Sequence, residues 1–249
     1  MKSVKTHCII LKSTVVREID KAVTMISPDI GIFTVTAFGA CKSRNRFGGK
    51  LEPFSVLSAE LTVKMRGIEA EYQIKELTLL DSFANLTTSY EIVLTAQFFC
   101  EVLLKNNTAG EDRRMFSLLY HALRALNQCD GEESKNAVVI NFLVRYLAFT
   151  GFFAPLIECS SCGRAFNDNE PVFMQRSDHQ PYCSDCVYGD SVPLEPELRS
   201  YLNTILKIRF AQTSEIPINI NGGRKLKAYL ISLLKELSGF RYKTLESLH

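Results

Sequence analysis

Two Cys-x-x-Cys pairs, Cys159/Cys162 and Cys183/Cys186, stand twenty residues apart in one segment of this 249-residue chain. Any fold must bring both turns to a common point. A Cys-x-x-Cys turn offers two thiolates to one side of a cation, and a second turn completes a tetrahedron. Gly163 follows the second thiol, as suits a tight knuckle, and PVFMQ and Tyr182 read as the short strands of a zinc ribbon. The spacing predicts one Zn2+ held by Cys159, Cys162, Cys183 and Cys186. With four protein ligands there is no open position for water or substrate, so the metal is expected to be structural. Paired disulfides are the first alternative, but they need an oxidising compartment. The opening MKSVKTHCIILKSTVV has neither a long apolar run nor a small-residue cleavage site, so a cytoplasmic chain is expected. A thioredoxin-like site needs one pair, and the common iron–sulfur spacings differ. His179 reads as a surface-loop residue rather than a substitute ligand. Cys8, Cys41, Cys100 and Cys129 read as small core or loop residues.

Around this module the hydrophobic period changes twice. THCIILKS, KAVTMIS and GIFTVTAF are short runs rich in β-branched residues, with SPDIG as a hairpin turn between the last two. In LSAELTVKM, Leu57, Ala59, Leu61, Val63 and Met65 share one face. Arg66 and Gly67 suggest a turn into a fifth run, EYQIKELTLL. Five strands in residues 1–80 predict a small closed or partly closed barrel. From Tyr90 the period is helical. Stripes run through Met115–Leu126, Val139–Leu147, Leu198–Leu206 and Leu226–Leu237, and Gly151 and Pro155 should end the second. The expected class is α+β multidomain. Residues 1–80 are expected to form a small barrel domain and 81–155 the first part of a helical domain. Residues 156–190 are an inserted zinc module and 191–249 the rest of the helical domain. No apolar run approaches the roughly twenty residues of a membrane span.

Net charge is only +2, but it is unevenly placed. Residues 1–80 and 199–249 are basic, and the stretch between them is acidic, which points to more than one kind of partner. After the third predicted strand comes GACKSRNRFGGKLEPF, in which Lys42, Arg44, Arg46 and Lys50 stand without an intervening acid. Phe38, Phe47 and Phe54 are interleaved, and the glycines suggest flexibility. Positive charge follows a phosphate backbone and aromatic faces stack bases, so Lys42, Arg44, Arg46, Lys50 and Phe47 are candidate nucleic-acid contacts. By motif alone a solvated loop with two phenylalanines anchored in the core fits equally well. FGGK is not a phosphate-binding loop, because Arg44 and Leu51 stand where that motif needs Gly and Ser or Thr. No hydrolase, metalloprotease or dinucleotide motif occurs, and no enzyme activity is expected.

GIFTVTAFGACKSRNRFGGKLEPF and NFLVRYLAFTGFFAPLIECSSCG resemble two stretches of the RecO family of bacterial recombination mediators. The order of barrel, helices, cysteine pairs and basic C-terminal helices extends the resemblance over nearly the whole chain. FRYKTLESL departs from the family's basic end. The resemblance implies an OB-fold barrel, a helical domain and a zinc-stabilised insertion. It implies binding of single- and double-stranded DNA, strand annealing, and action with RecR to help RecA replace single-strand binding protein in RecF-pathway repair near the nucleoid. The acidic, apolar-tipped tail of single-strand binding protein needs cations beside an apolar groove. Arg224, Lys225 and Lys227, next to the Leu226–Leu237 stripe, are the candidates, with ordinary helix-end charge as the competing reading. An RNA-binding or ribosome-associated zinc protein is the second expectation. A nucleic-acid-processing enzyme with a spatially assembled carboxylate site is the third.

Overall fold

The computed structural model describes residues 2–67, 69–106 and 110–247; the side chains of residues 2, 44, 45, 66, 69, 214 and 215 lie outside the description. The chain divides into two compact units, residues 1–128 with 242–249, and residues 129–241.

The first unit is built on an antiparallel sheet of five strands: β1 (Lys2–Val15), β2 (Lys21–Ser27), β3 (Gly31–Ala37), β4 (Val56–Arg66) and β5 (Glu69–Asp81). Their order is β3-β2-β1-β4-β5. β1 serves two neighbours. Its first half pairs with β4 and its second with β2, with a register shift between Ile10 and Lys12. Such a bulge bends and twists a strand. The sheet curls enough that its two edges meet through side chains: Phe33 of β3 lies 5.1 Å, centroid to centroid, from Tyr72 of β5. Cys8, Ile10, Val23, Met25, Val35, Leu57, Ala59, Leu61, Ile74 and Leu77 fill the space within. The alternation read in β4 buries Leu57, Ala59 and Leu61 but fails at Met65, which is exposed where the strand outruns this core.

The SPDIG turn forms as expected. Gly31 has φ 81°, and the Asp29 carboxylate accepts a hydrogen bond from Thr6 Oγ1 at 2.7 Å. Helices α2 (Tyr90–Asn106) and α3 (Arg113–Leu126) belong to this unit. In this division the first two long helices group with the sheet. Asp112 caps α3 by accepting from the N–H groups of Arg114 and Met115. All six residues of the α3 stripe are buried.

The C-terminal segment returns to this unit. Tyr242, 1% exposed, packs edge-on against Phe98 of α2 at 5.8 Å. The Glu101 carboxylate receives the N–H of Lys243 at 3.0 Å, the N–H of Thr244 at 3.1 Å and the Thr244 hydroxyl at 2.7 Å. Burial pushes this carboxyl up, but the Thr244 hydroxyl, Lys105 and the two N–H groups outweigh it and hold it at about 2. A carboxyl depressed on folding stabilises the fold above its unfolded value and loses that contribution as pH falls. Glu101→Gln should therefore cost on the order of 2 kcal/mol at neutral pH. Melting of the two proteins should converge as pH falls from about 5 towards 2. A pH-independent gap between them would remove this role from Glu101.

The second unit is centred on α4 (Gly131–Phe149), whose residues Asn136–Val144 are all buried. A helix buried on every side is a core helix, which its sequence stripe understates. It ends where expected, with Gly151 at φ 80°. α5 (Pro196–Lys207) and α6 (Ile220–Ser238) pack against it. Asn141, fully buried, donates to Thr213 Oγ1 at 2.7 Å, and Arg145 donates to Asn141, Ile205 and Ile208. No described helix is long and apolar enough to cross a membrane.

Candidate nucleic-acid interface and metal centre

The candidate metal centre is assembled by two knuckles in residues 156–190. In the first, Cys159 donates its N–H to Arg164 O at 2.9 Å, and Gly163, at φ 70°, returns its N–H to Cys159 O at 2.9 Å. In the second, the N–H groups of Cys186 and Val187 both reach Cys183 O. Ser160 N to Pro181 O, 2.9 Å, ties the knuckles together. A three-stranded sheet backs them: β6 (Val172–Gln175), β7 (Pro181–Tyr182) and β8 (Ser191–Leu194), in the order β7-β6-β8. The first two were legible as strands; β8 was not.

The four Sγ atoms lie within 4.8 Å of one another, and Cys162 and Cys183 are 4.0 Å apart. A tetrahedron of thiolates about 2.3 Å from a zinc ion has edges of about 3.8 Å, so the donor set fits such an ion. Electrostatics agree. Burial pushes Cys159 up, but N–H groups of Cys162, Cys183 and Ser161 outweigh it and hold the thiol down at about 6. Cys186 is pushed up to about 12, chiefly by Cys183 and Cys162. Thiolates this close cannot all ionise without a cation among them. Among the described residues this is the one converging group of three or more potential metal ligands. His179 is outside it, in the turn between β6 and β7, where it lines a cleft of about 260 Å3 with Arg176, Tyr229 and Glu236. α5 grips the module through Arg199, which donates to Asn167 O, and Asn203, which donates to Leu156 O at 3.2 Å. Cys8 and Cys100 are buried with thiols pushed up to about 12, as suits core residues.

The basic segment after β3 is a strap. The Asp20 carboxylate takes the N–H of Gly39, and Cys41 N–H reaches Ile19 O. The short helix α1 (Arg44–Phe47) follows. Phe47, Leu51 and Phe54 are 3%, 2% and 5% exposed. Phe47, read in the sequence as a base-stacking candidate, is a core anchor that holds the strap down, and its ring is too buried to offer a free stacking face, although it helps line a small pocket. Gly39 and Gly49 have φ 70° and 68°, so these glycines bend the strap rather than merely loosen it.

Two of the candidate cations work on the open edge of β5. Arg46 Nη2 donates to Ile74 O at 2.9 Å, and Lys50 Nζ to Leu77 O at 3.0 Å. The Arg46 guanidinium also lies 4.9 Å from the Phe47 ring centroid. Lys42 is exposed, with no partner for its ammonium among the described residues. The Arg44 side chain lies outside the description. The strap thus links the β3 and β5 sides of the sheet and carries charge on its outer face. Sequence reasoning found its charge but missed its edge contacts, because β5 becomes an edge only in three dimensions.

Arg224 and Lys227 are engaged on α4. Arg224 makes a two-pronged pair with Glu132, at 2.9 and 2.7 Å, and Lys227 donates to Asn136 Oδ1 at 2.6 Å. Leu226, Leu230, Leu233 and Leu234 are buried. The stripe beside these cations is mostly packed core, with Leu233 and Tyr229 also lining the cleft near His179, and the contacts of Arg224 and Lys227 with α4 suit the helix-end reading. Lys225 is exposed.

Fold and site define a class: an antiparallel OB-like sheet with a basic strap, joined to helices that carry a four-thiol centre. A family model described as Recombination protein O N terminal matches residues 1–83, and its C-terminal counterpart matches residues 88–246. The chain belongs to the RecO family. It is 30% identical over 188 residues to the DNA repair protein RecO of Desulforamulus reducens, covering 75% of this chain and 70% of that protein. It is 26% identical over 246 residues to that of Anaeromyxobacter dehalogenans, covering 97% and 94%.

Proposed function

We propose that this chain is a DNA-binding repair and recombination mediator with no catalytic step of its own. It binds single- and double-stranded DNA on the strap side of a partly closed OB-fold barrel and anneals complementary strands. With RecR it helps RecA replace single-strand binding protein, whose acidic tail it engages, on cytoplasmic, nucleoid-associated DNA. The observation that carries the reading is the strap of residues 38–55: cations lie across the meeting edges of an OB-like sheet, in a chain of the RecO family. Relatives named DNA repair protein RecO support the repair role. One zinc ion, held by Cys159, Cys162, Cys183 and Cys186, would supply folding energy rather than chemistry.

Cations on a curved sheet suit a phosphate backbone, because each one placed beside a phosphate releases condensed counterions. The reading is tested with a labelled DNA strand and an RNA competitor of matched sequence. DNA should be retained and annealed with its complement. Equal competition by RNA would favour the RNA-binding alternative.

A further inference from the structure

Where β3 ends and β5 passes, the two strands face each other with no hydrogen-bonded ladder between them among the described residues. A pocket of about 180 Å3 opens at this seam. Its floor is apolar: Ala37, Ile74 and Phe47 are 1%, 9% and 3% exposed. Its rim is polar, with Thr36, Gln73 and Arg46, and Phe38 lines it while remaining 58% exposed. We infer that this seam pocket receives one unpaired nucleobase of a DNA single strand, stacked on Phe38 with its polar edge against Gln73 and Arg46. The inference rests on the DNA-binding reading above and deepens it.

An exposed phenylalanine alone means little, since much of any protein surface is apolar. Its place in the lining of a pocket with buried apolar neighbours, beside a guanidinium held by Ile74 O, is what points to a ligand. Arg46 is held in place by Ile74 O and by the Phe47 ring. Arginine carries five N–H donors, so donors remain to face the pocket. A phosphate would use the cation but gain nothing from the apolar floor or the aromatic ring. A planar heteroaromatic ring uses all three, through stacking, apolar contact and hydrogen bonding at its edge. A paired base in a duplex has both faces stacked and its pairing edge occupied, so it is excluded unless it leaves the helix. The pocket therefore selects single strands, whereas the cations of the strap serve both forms.

The experiment uses the full chain and its Phe38→Ala, Phe38→Tyr and Gln73→Ala variants, with a labelled oligothymidylate strand and a labelled hairpin duplex as probes. Phe38 is exposed, so unchanged melting is expected for its variants. Phe38→Ala should weaken single-strand binding roughly ten-fold or more, the ordinary worth of one stacked base. Duplex affinity should hold, and so should the salt dependence, since no phosphate contact is lost. Phe38→Tyr should keep the affinity, and Gln73→Ala should show a smaller loss confined to the single strand. Unchanged single-strand affinity in Phe38→Ala, or a parallel loss for both probes, overturns the pocket while leaving DNA binding intact. A native chain that binds neither probe overturns the DNA-binding reading and the pocket with it.

Discussion

Withdrawing the proposed zinc ion with a strong chelator, or replacing Cys183 by serine, should unfold residues 156–190. Around the thiols the module buries little apolar surface of its own, and its other buried apolar residues, Leu156, Val172 and Met174, lie outside the cluster at the thiols. Its apolar cluster consists of Cys159, Tyr182 and Cys183, with Phe166, Cys186 and Val187 partly buried around them. Half of those residues are the proposed ligands themselves. Without a cation, the thiols that lie within 4.8 Å of one another lose the centre that draws the two knuckles together. Structural zinc in small modules contributes about 10–16 kcal/mol of apparent binding free energy, more than Tyr182, Phe166 and Val187, the cluster's other members, supply by burial. Metal analysis should find one zinc per native chain and none in Cys183→Ser. Proteolysis of the chelated protein should cut first within 156–190. A chelated, metal-free chain that kept its full melting temperature would contradict a structural role.

Gly31→Ala is expected to be the most damaging single-methyl change in the first unit. Gly31 has φ 81°, and a Cβ there would stand 1.9 Å from the carbonyl oxygen of Gly110. The obstacle is backbone, so no side-chain rotation relieves it. Strain at a left-handed residue costs about 1–2 kcal/mol, and forced displacement of packed backbone about 1–3 kcal/mol more. The expected loss is about 2–5 kcal/mol, a large part of the stability of an ordinary domain. Gly39→Ala separates the two effects, because Gly39 has φ 70° but nothing within 4 Å of the added Cβ. It should lose only the strain, about 1–2 kcal/mol. Equal losses at the two positions in denaturant unfolding would remove the Gly31–Gly110 contact from the account.

These cases mark what is legible in a single sequence. The convergence of the four cysteines, the strand runs and the α3 stripe follow from local spacing, and local spacing survives folding. The SPDIG turn was legible as well, but its approach to Gly110 was not, since that contact joins residues far apart in the chain. The GACKSRNRFGGKLEPF segment shows the same limit. Aromatic residues among cations describe a stacking loop and an anchored strap equally well. Only the burial of Phe47 and Phe54, against the exposure of Phe38, separates the two. The Leu226–Leu237 stripe was legible as core, and Leu226, Leu230, Leu233 and Leu234 are buried accordingly. FRYKTLESL gave no signal of its own role, because Tyr242 and Thr244 meet their partners on α2, far back in the chain.

The central claim is that DNA lies on the strap. It is tested most directly by the salt dependence of single-strand binding, comparing the native chain with Lys42→Ala and Arg44→Ala. Lys42 is preferred to Arg46 and Lys50 because its ammonium does not hold the β5 edge. Each lost phosphate contact should weaken binding and flatten the slope of log affinity against log salt by roughly 0.7. Weaker binding with a shallower slope is the predicted result. An unchanged affinity and slope in both Lys42→Ala and Arg44→Ala would contradict it and place the DNA elsewhere on the chain.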